Sequence, residues 1–211
     1  MHFASAPAII NRMNKGRLIV FEGIDGAGKS TQAKMLVRKL RARGRAVSSF
    51  REPSRSRWGR MLRTMAKIAG SLTPAEELDL FVKDRKEHVV RDILPALEAG
   101  RTVVLDRYYY STIAYQGAKG LDPARIQRMN ERFAPRPALV FILDVNAGTG
   151  LSRIAGRKTR DVLFEREAYL RRVRRLFRSF RGPRFVHLDA GRDRRDLGRE
   201  ILVRVLSILG G

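Results

Sequence analysis

The stretch Phe21-Glu22-Gly23-Ile24-Asp25-Gly26-Ala27-Gly28-Lys29-Ser30-Thr31 decides how the rest of the chain is read. From Gly23 to Ser30 it satisfies G-x-x-x-x-G-K-[ST] at every fixed position. The pattern is short, and its surroundings make it specific. Upstream, Leu18-Ile19-Val20-Phe21 is an unbroken apolar run, as a parallel strand buried on both faces requires. Downstream, Ala33, Leu36, Val37 and Leu40 recur at helical spacing, and Gly44 stands where a helix C-cap belongs. Strand, glycine loop and helix follow in the order a phosphate cradle needs. The glycines let backbone N–H groups converge on phosphate oxygens, and the helix N-terminus adds a favourable partial charge. Lys29 can reach the outer phosphates, and the Ser30 hydroxyl can ligate Mg²⁺. The candidate phosphate-binding residues are therefore Gly23, Ile24, Asp25, Gly26, Ala27, Gly28, Lys29, Ser30 and Thr31.

The length of 211 residues fits one domain, preceded by a tail over residues 1–16. No cysteine is present, so disulfides and thiolate metal sites are excluded, and a reducing cytoplasm is the expected location. No apolar run reaches membrane-spanning length, so no membrane partner is expected. The formal net charge is +23, from 44 Lys+Arg against 21 Asp+Glu, and it favours polyanions, nucleotides and nucleic acids alike. There is no zinc-finger spacing, aromatic RNA-binding signature or helix-turn-helix, so specific nucleic-acid binding is not expected.

Four further strands are expected at 46–50, 102–105, 138–143 and 184–188. A helix after the second strand carries Trp58, Met61, Leu62, Met65 and Ile68 on one face. Thr73-Pro74-Ala75-Glu76 is a capping box with proline at the first helical position, and that helix is expected to break or kink near Pro95. Asp122-Pro123 opens another helix. The basic, glycine-containing segment 150–160 reads as mobile, ahead of an amphipathic helix from Glu165 to Phe180, and a last helix covers 194–209. Alternation of strands and helices argues for a parallel α/β sheet, whose ligands bind beyond the carboxyl ends of the strands. The glycine loop, Arg51-Glu52, Asp106-Arg107 and Asp144 all fall at that edge. Asp106, after a buried strand, can hold Mg²⁺ directly or through water, and Arg107 can clamp an acceptor phosphate bidentately. Phosphoryl transfer needs little more than such positioning and charge neutralisation.

The glycine loop, Arg51-Glu52-Pro53, Phe81-Val82-Lys83-Asp84-Arg85, Asp106-Arg107-Tyr108 with Ser111 and Ala114-Tyr115-Gln116-Gly117, and Leu143-Asp144-Val145 before a basic segment together resemble the thymidylate kinase family. The resemblance runs from about Leu18 to the last helix. It implies a P-loop kinase fold with a five-stranded parallel sheet of order 2-3-1-4-5, helices on both faces, and a basic lid over about 150–165. The implied reaction is ATP + dTMP giving ADP + dTDP with Mg²⁺, by a homodimer. Phe81 would stack on the pyrimidine and Arg85 would donate to its O4 atom. Ser111, Thr112 and Gln116 would surround the base, Tyr115 would exclude a ribose hydroxyl, and Asp25 would accept from the sugar 3′-hydroxyl while organising metal and acceptor phosphate. In the family the catalytic arginine lies either in the glycine loop or in the lid. Gly26 occupies the loop position here, so the resemblance points to the lid, with Arg157 aligned to the catalytic position, Arg153 over adenine, and Arg160 also available.

Two departures leave the acceptor open: Ser54-Arg55-Ser56-Arg57 replaces a glycine-glycine-threonine loop, and Gly117-Ala118-Lys119-Gly120 replaces a glycine run. The alternatives are a kinase for another (deoxy)nucleoside monophosphate, a nucleic-acid-stimulated P-loop ATPase, and a non-catalytic nucleotide-binding regulator.

Overall fold

The apolar run before the glycine loop forms β1 (Arg17–Glu22), the middle strand of a five-stranded parallel sheet of order β2-β3-β1-β4-β5. The computed structural model describes residues 16–66, 68, 70–153 and 160–210, without the side chains of 160–165. The other strands are β2 (Val47–Arg51), β3 (Thr102–Asp106), β4 (Leu139–Asp144) and β5 (Phe185–Asp189), each within one residue of its expected bounds. The middle strands are buried residue after residue: Ile19, Val20, Phe21, Val103, Val104, Leu105, Val140, Phe141 and Ile142 are fully enclosed. A strand with no exposed alternate face must be covered on both sides, which is why these runs read as continuous apolar rather than alternating. The register aligns the carboxyl ends in one row. Arg51 lies opposite Asp106, Asp106 opposite Phe21, and Asp144 opposite Asp189.

Among the described residues, helices α1 (Lys29–Arg41) and α2 (Arg57–Met65) follow β1 and β2. Next come α3 (Pro74–His88) and α4 (Leu94–Glu98), and beyond β3 lie α5 (Tyr109–Gly117) and α6 (Pro123–Glu131). The last are α7 (Ala147–Ser152), α8 (Arg160–Ser179) and α9 (Arg194–Leu209). The capping box is present in full: Thr73 accepts from Glu76 N while the Glu76 carboxylate accepts from Thr73 N. Pro95 does not break the helix. A π turn over Val89–Ile93 joins α3 to α4, and such widening accommodates the missing proline N–H and its ring.

Three local readings change. On α2 only Leu62 and Gly59 are buried, Met61 and Ile68 are exposed at 41% and 56%, and the helix ends before Ile68. Residues 147–152 are helical, capped by the Asn146 side chain on Gly148 N, so the front of the segment read as mobile is regular. Helix α8 starts at Arg160 rather than Glu165, and its apolar stripe of Leu170, Val173 and Phe177 packs into the core. The Tyr108-Tyr109-Tyr110 run is buried, with the Tyr109 and Tyr110 hydroxyls 2.9 Å apart and Tyr110 edge-on to Phe180 and Phe185.

Candidate functional site

Gly28 caps α1 in the left-handed region at φ 86°, which turns the loop back over the helix N-terminus. Lys29 is buried, and its Nζ donates to Ile24 O at 2.7 Å. Burial and the neighbouring Arg107 charge push its pKa down to about 7. A phosphate polyanion is the partner such a cation lacks. A cavity of about 500 Å³ opens here, lined by residues 25–32, Arg51, Arg107 and Arg153, and by Ala190, Arg192 and Arg194 from the β5–α9 end. Gly23 and Ile24 do not line it: Gly23 sits at φ 137° against Leu143 O, and the Ile24 side chain is in the core.

Ser30 Oγ donates to Asp106 Oδ2 at 2.5 Å. Asp106 is 5% exposed, and its second oxygen, Oδ1, is buried with no hydrogen-bond partner among the described residues. Arg51 Nε stands 3.7 Å from Oδ2. A hydroxyl beside a carboxylate with a free lone-pair face is a donor set for a hard divalent cation. No group of three or more His, Cys, Asp or Glu gathers among the described residues, so an ion here would draw its remaining ligands from phosphate and water.

Arg107 and Asp25 line both this cavity and a second one, so they stand where the two meet. Arg107 Nη2 donates to Asp25 Oδ1 and Nη1 to Ser111 Oγ at 3.0 Å. Burial opposes the Arg107 charge, but Tyr115, Asp25 and Glu22 outweigh it and raise its pKa further. For Asp25, burial is likewise outweighed, by Arg107 and Lys29, and the carboxyl lies below its usual range. Arg107 is also the one non-glycine residue at positive φ, 71°, among the described residues.

The second cavity, about 270 Å³, is the acceptor-side candidate. Phe81, Arg85, Ser111, Thr112, Tyr115 and Gln116 all line it, with Pro53, Glu77, Lys119 and Tyr169. Phe81 is half-buried, lies outside the apolar core cluster and lines the cavity. Arg85 is 1% exposed: Nε and Nη2 donate to Glu52 Oε2 at 2.8 and 2.6 Å, Nη1 to Asn130 Oδ1 at 2.6 Å, and Nη2 to Thr112 Oγ1 at 3.0 Å. Among the described residues four of its five N–H groups are thus committed, and one on Nη1 remains. Gln116 Nε2 donates to Glu77 Oε2 at 2.7 Å, which fixes the amide so that Oε1, buried and unpartnered, is its free end. Among the described residues, the two cavity-lining side chains Arg85 and Gln116 thus keep one uncommitted N–H and one buried, unpartnered carbonyl oxygen. The Tyr115 hydroxyl accepts from Asp25 N at 3.1 Å, and burial pushes its pKa up to about 12.

The Ser54–Arg57 loop does not fill this cavity. Ser54 and Ser56 turn inward onto buried Asp84, their hydroxyls 2.6 Å from Oδ1, and Ser56 Oγ caps α2 by accepting from Gly59 N. Arg55 and Arg63 line a separate cleft of about 760 Å³ beside β2. Arg153 Nη1 donates to Gly26 O and Ala190 O at 3.3 and 3.4 Å, on the donor side. A Cβ on Gly26, at φ 79°, would stand 2.0 Å from Gly150 O, so the loop has no room for a side chain there. Arg157 lies outside the described residues, as does the Arg160 side chain.

Sequence reading missed the supports. Glu52 and Asp84 enter the sequence only as parts of motifs, yet Glu52 anchors Arg85 and His88 and Asp84 anchors Ser54; Asn130 and Glu77 carry no sequence signal of their own. The clearest unused signal was Glu22, a charge ending an otherwise apolar strand; it is fully buried, and burial pushes its pKa up to about 7 against the lowering effect of its hydrogen-bond partners.

The family model described as "Thymidylate kinase" matches residues 21–201. The thymidylate kinase of Akkermansia muciniphila is 48% identical over 196 residues, 92% of each chain. That of Brachyspira hyodysenteriae is 44% identical over 89% of this chain and 92% of its own. That of Desulfotalea psychrophila is 42% identical over 93% and 97%. With the strand order, the glycine loop and the paired cavities, these matches lead to one conclusion: the chain belongs to the thymidylate kinase family.

Proposed function

We propose that the chain transfers the γ-phosphoryl group of ATP to dTMP, giving dTDP for dTTP synthesis. The observation that carries this reading is the junction of the two cavities at Asp25 and Arg107. A donor held by the glycine loop and an acceptor held over Phe81 would bring their phosphates together there. Lys29 and the loop backbone would neutralise the donor phosphates, Arg107 would hold the acceptor phosphate, and Asp25 would fix Arg107 and meet the sugar hydroxyl. Ser30 and Asp106 would hold Mg²⁺, which when bound neutralises phosphate charge. Arg153 would lie over adenine, and Arg157 would meet the transition-state charge.

The base reading follows from the two unpaired groups. The remaining Arg85 N–H suits the O4 carbonyl of a thymine or uracil, and Gln116 Oε1 suits the adjacent N3–H. Cytosine presents an amino group and a bare nitrogen at those positions, so it mismatches both. Phe81 supplies the stacking face, and Tyr115 fills the space a ribose hydroxyl would need. The active form is read as a homodimer, tested by molar mass in solution. The location is read as cytoplasmic; no described helix is long and apolar enough to cross a membrane.

The test is a coupled ADP-release assay across the common monophosphates at fixed ATP and Mg²⁺. The expected order of kcat/KM is dTMP, then dUMP, with dCMP, dAMP and dGMP poor. A purine or cytosine optimum overturns the acceptor assignment. ATP hydrolysis that needs no monophosphate and rises with added DNA or RNA overturns the kinase reading altogether.

A further inference from the structure

Arg107 adopts, at φ 71°, a backbone conformation that is strained for a non-glycine residue and persists only where its surroundings enforce it. Both sides of the residue are tied to β1. Arg107 N donates to Phe21 O at 3.0 Å, and the next amide, Tyr108 N, donates to Glu22 Oε1 at 2.7 Å. The same carboxylate takes Ser111 N at 3.1 Å and, on Oε2, Ser111 Oγ at 2.5 Å. Ser111 has a single hydroxyl hydrogen. Because that hydrogen goes to Glu22, the Ser111 oxygen is left as an acceptor, and Arg107 Nη1 donates to it. From Glu22 the chain of contacts runs through Ser111 to Arg107 and on to Asp25.

We propose that Glu22 is the positioning residue that aims Arg107 at the acceptor phosphate, by fixing both the strained turn and the direction of the Ser111 hydroxyl. The inference rests on reading Arg107 as the acceptor clamp. It explains why a carboxylate stands at a site with no solvent. A glutamine amide could present one oxygen to the two backbone N–H groups, but its NH₂ would then face Ser111 Oγ as a donor. Ser111 would then accept from it, and its own hydroxyl hydrogen, which now goes to Glu22, would lose its acceptor and its fixed direction. A carboxylate accepts at both oxygens and leaves no such conflict.

The experiment is a kinetic double-mutant cycle with Glu22→Gln and Arg107→Ala, using ATP, Mg²⁺ and dTMP, with thermal unfolding recorded for each variant. Glu22→Gln is expected to raise KM for dTMP about tenfold, the scale of one hydrogen bond to a charged group, and to leave KM for ATP within about twofold. In the Arg107→Ala background the same change is expected to have no further effect on KM for dTMP. Additive effects, equal rises in both KM values, or an unchanged KM for dTMP overturn the role of Glu22. Unchanged dTMP kinetics in Arg107→Ala alone overturn the clamp reading, and the positioning role with it. If Glu22→Gln does not fold, Ser111→Ala replaces it in the cycle: coupling to Arg107→Ala supports the relay, and additivity overturns it.

Discussion

The two cavities that meet at Asp25 and Arg107 are built differently. On the acceptor side the key cation is sealed in: Arg85 is held by Glu52, Asn130 and Thr112, with one N–H to spare. On the donor side only Lys29 is sealed in, and the arginines are surface groups: Arg153 reaches two carbonyls at 3.3 and 3.4 Å, and Arg192 pairs with Glu200 on the surface. The contrast follows from what each ligand offers. A base is recognised by one or two directional bonds, so its partners must be fixed beforehand. A triphosphate offers many equivalent oxygens and a large charge, so field and backbone suffice.

The donor side breaks most completely at its one buried cation. Lys29→Ala should lower phosphoryl transfer on the order of 10³-fold while the fold survives, because that charge has no substitute. Near-wild-type turnover in the folded variant would remove the glycine loop from the reaction.

The acceptor side should break as structure before it breaks as chemistry. Arg85→Leu leaves buried Glu52 with His88 as its remaining side-chain partner among the described residues, and should cost about 3–5 kcal/mol in a urea titration. Whatever folds should lose the preference for dTMP over dCMP. A stable variant with an unchanged ranking would place base selection elsewhere.

Arg157→Ala should lower kcat on the order of 10²-fold with little change in KM for dTMP. Adding Gly26→Arg to that variant should restore nothing, since Gly150 O blocks the position. If Arg153→Ala carries the kcat loss instead, Arg153 rather than Arg157 meets the transition-state charge.

Smaller effects sharpen the acceptor pocket. Tyr115→Ala should let UMP gain on dUMP by about tenfold, the scale at which a pocket discriminates by a small group. An unchanged ratio would mean that Tyr115 serves Asp25 rather than the sugar. Last, dUMP should trail dTMP only about fourfold, the worth of one buried methyl near 0.8 kcal/mol.

The middle strands were legible because each is a continuous apolar run, a signal that needs no tertiary knowledge, whereas their order in the sheet was carried by the family resemblance. The capping box at Thr73 was equally local. The misread face of α2 shows the limit: Met61 and Ile68 fit a helical stripe, but the partner surface reaches only as far as Leu62 and Gly59. In the site, residues that belong to contiguous motifs were readable. Asn130 and Glu77 were not, because each meets its partner across a gap of 45 or 39 positions that no spacing rule encodes. Nor could the sequence show that Ser54 and Ser56 turn away from the acceptor cavity; buried Asp84, 30 and 28 positions on, draws them inward.

The contact between Gly26 and Gly150 bears on how such a site can change over time. A Cβ on Gly26 would meet Gly150 O, and one on Gly150 would meet Asp25 O at 2.7 Å. Neither position can acquire a side chain while the other backbone stays where it is. The two backbones are therefore a matched pair, and a side chain at either position would require both segments, more than a hundred positions apart in sequence, to move together.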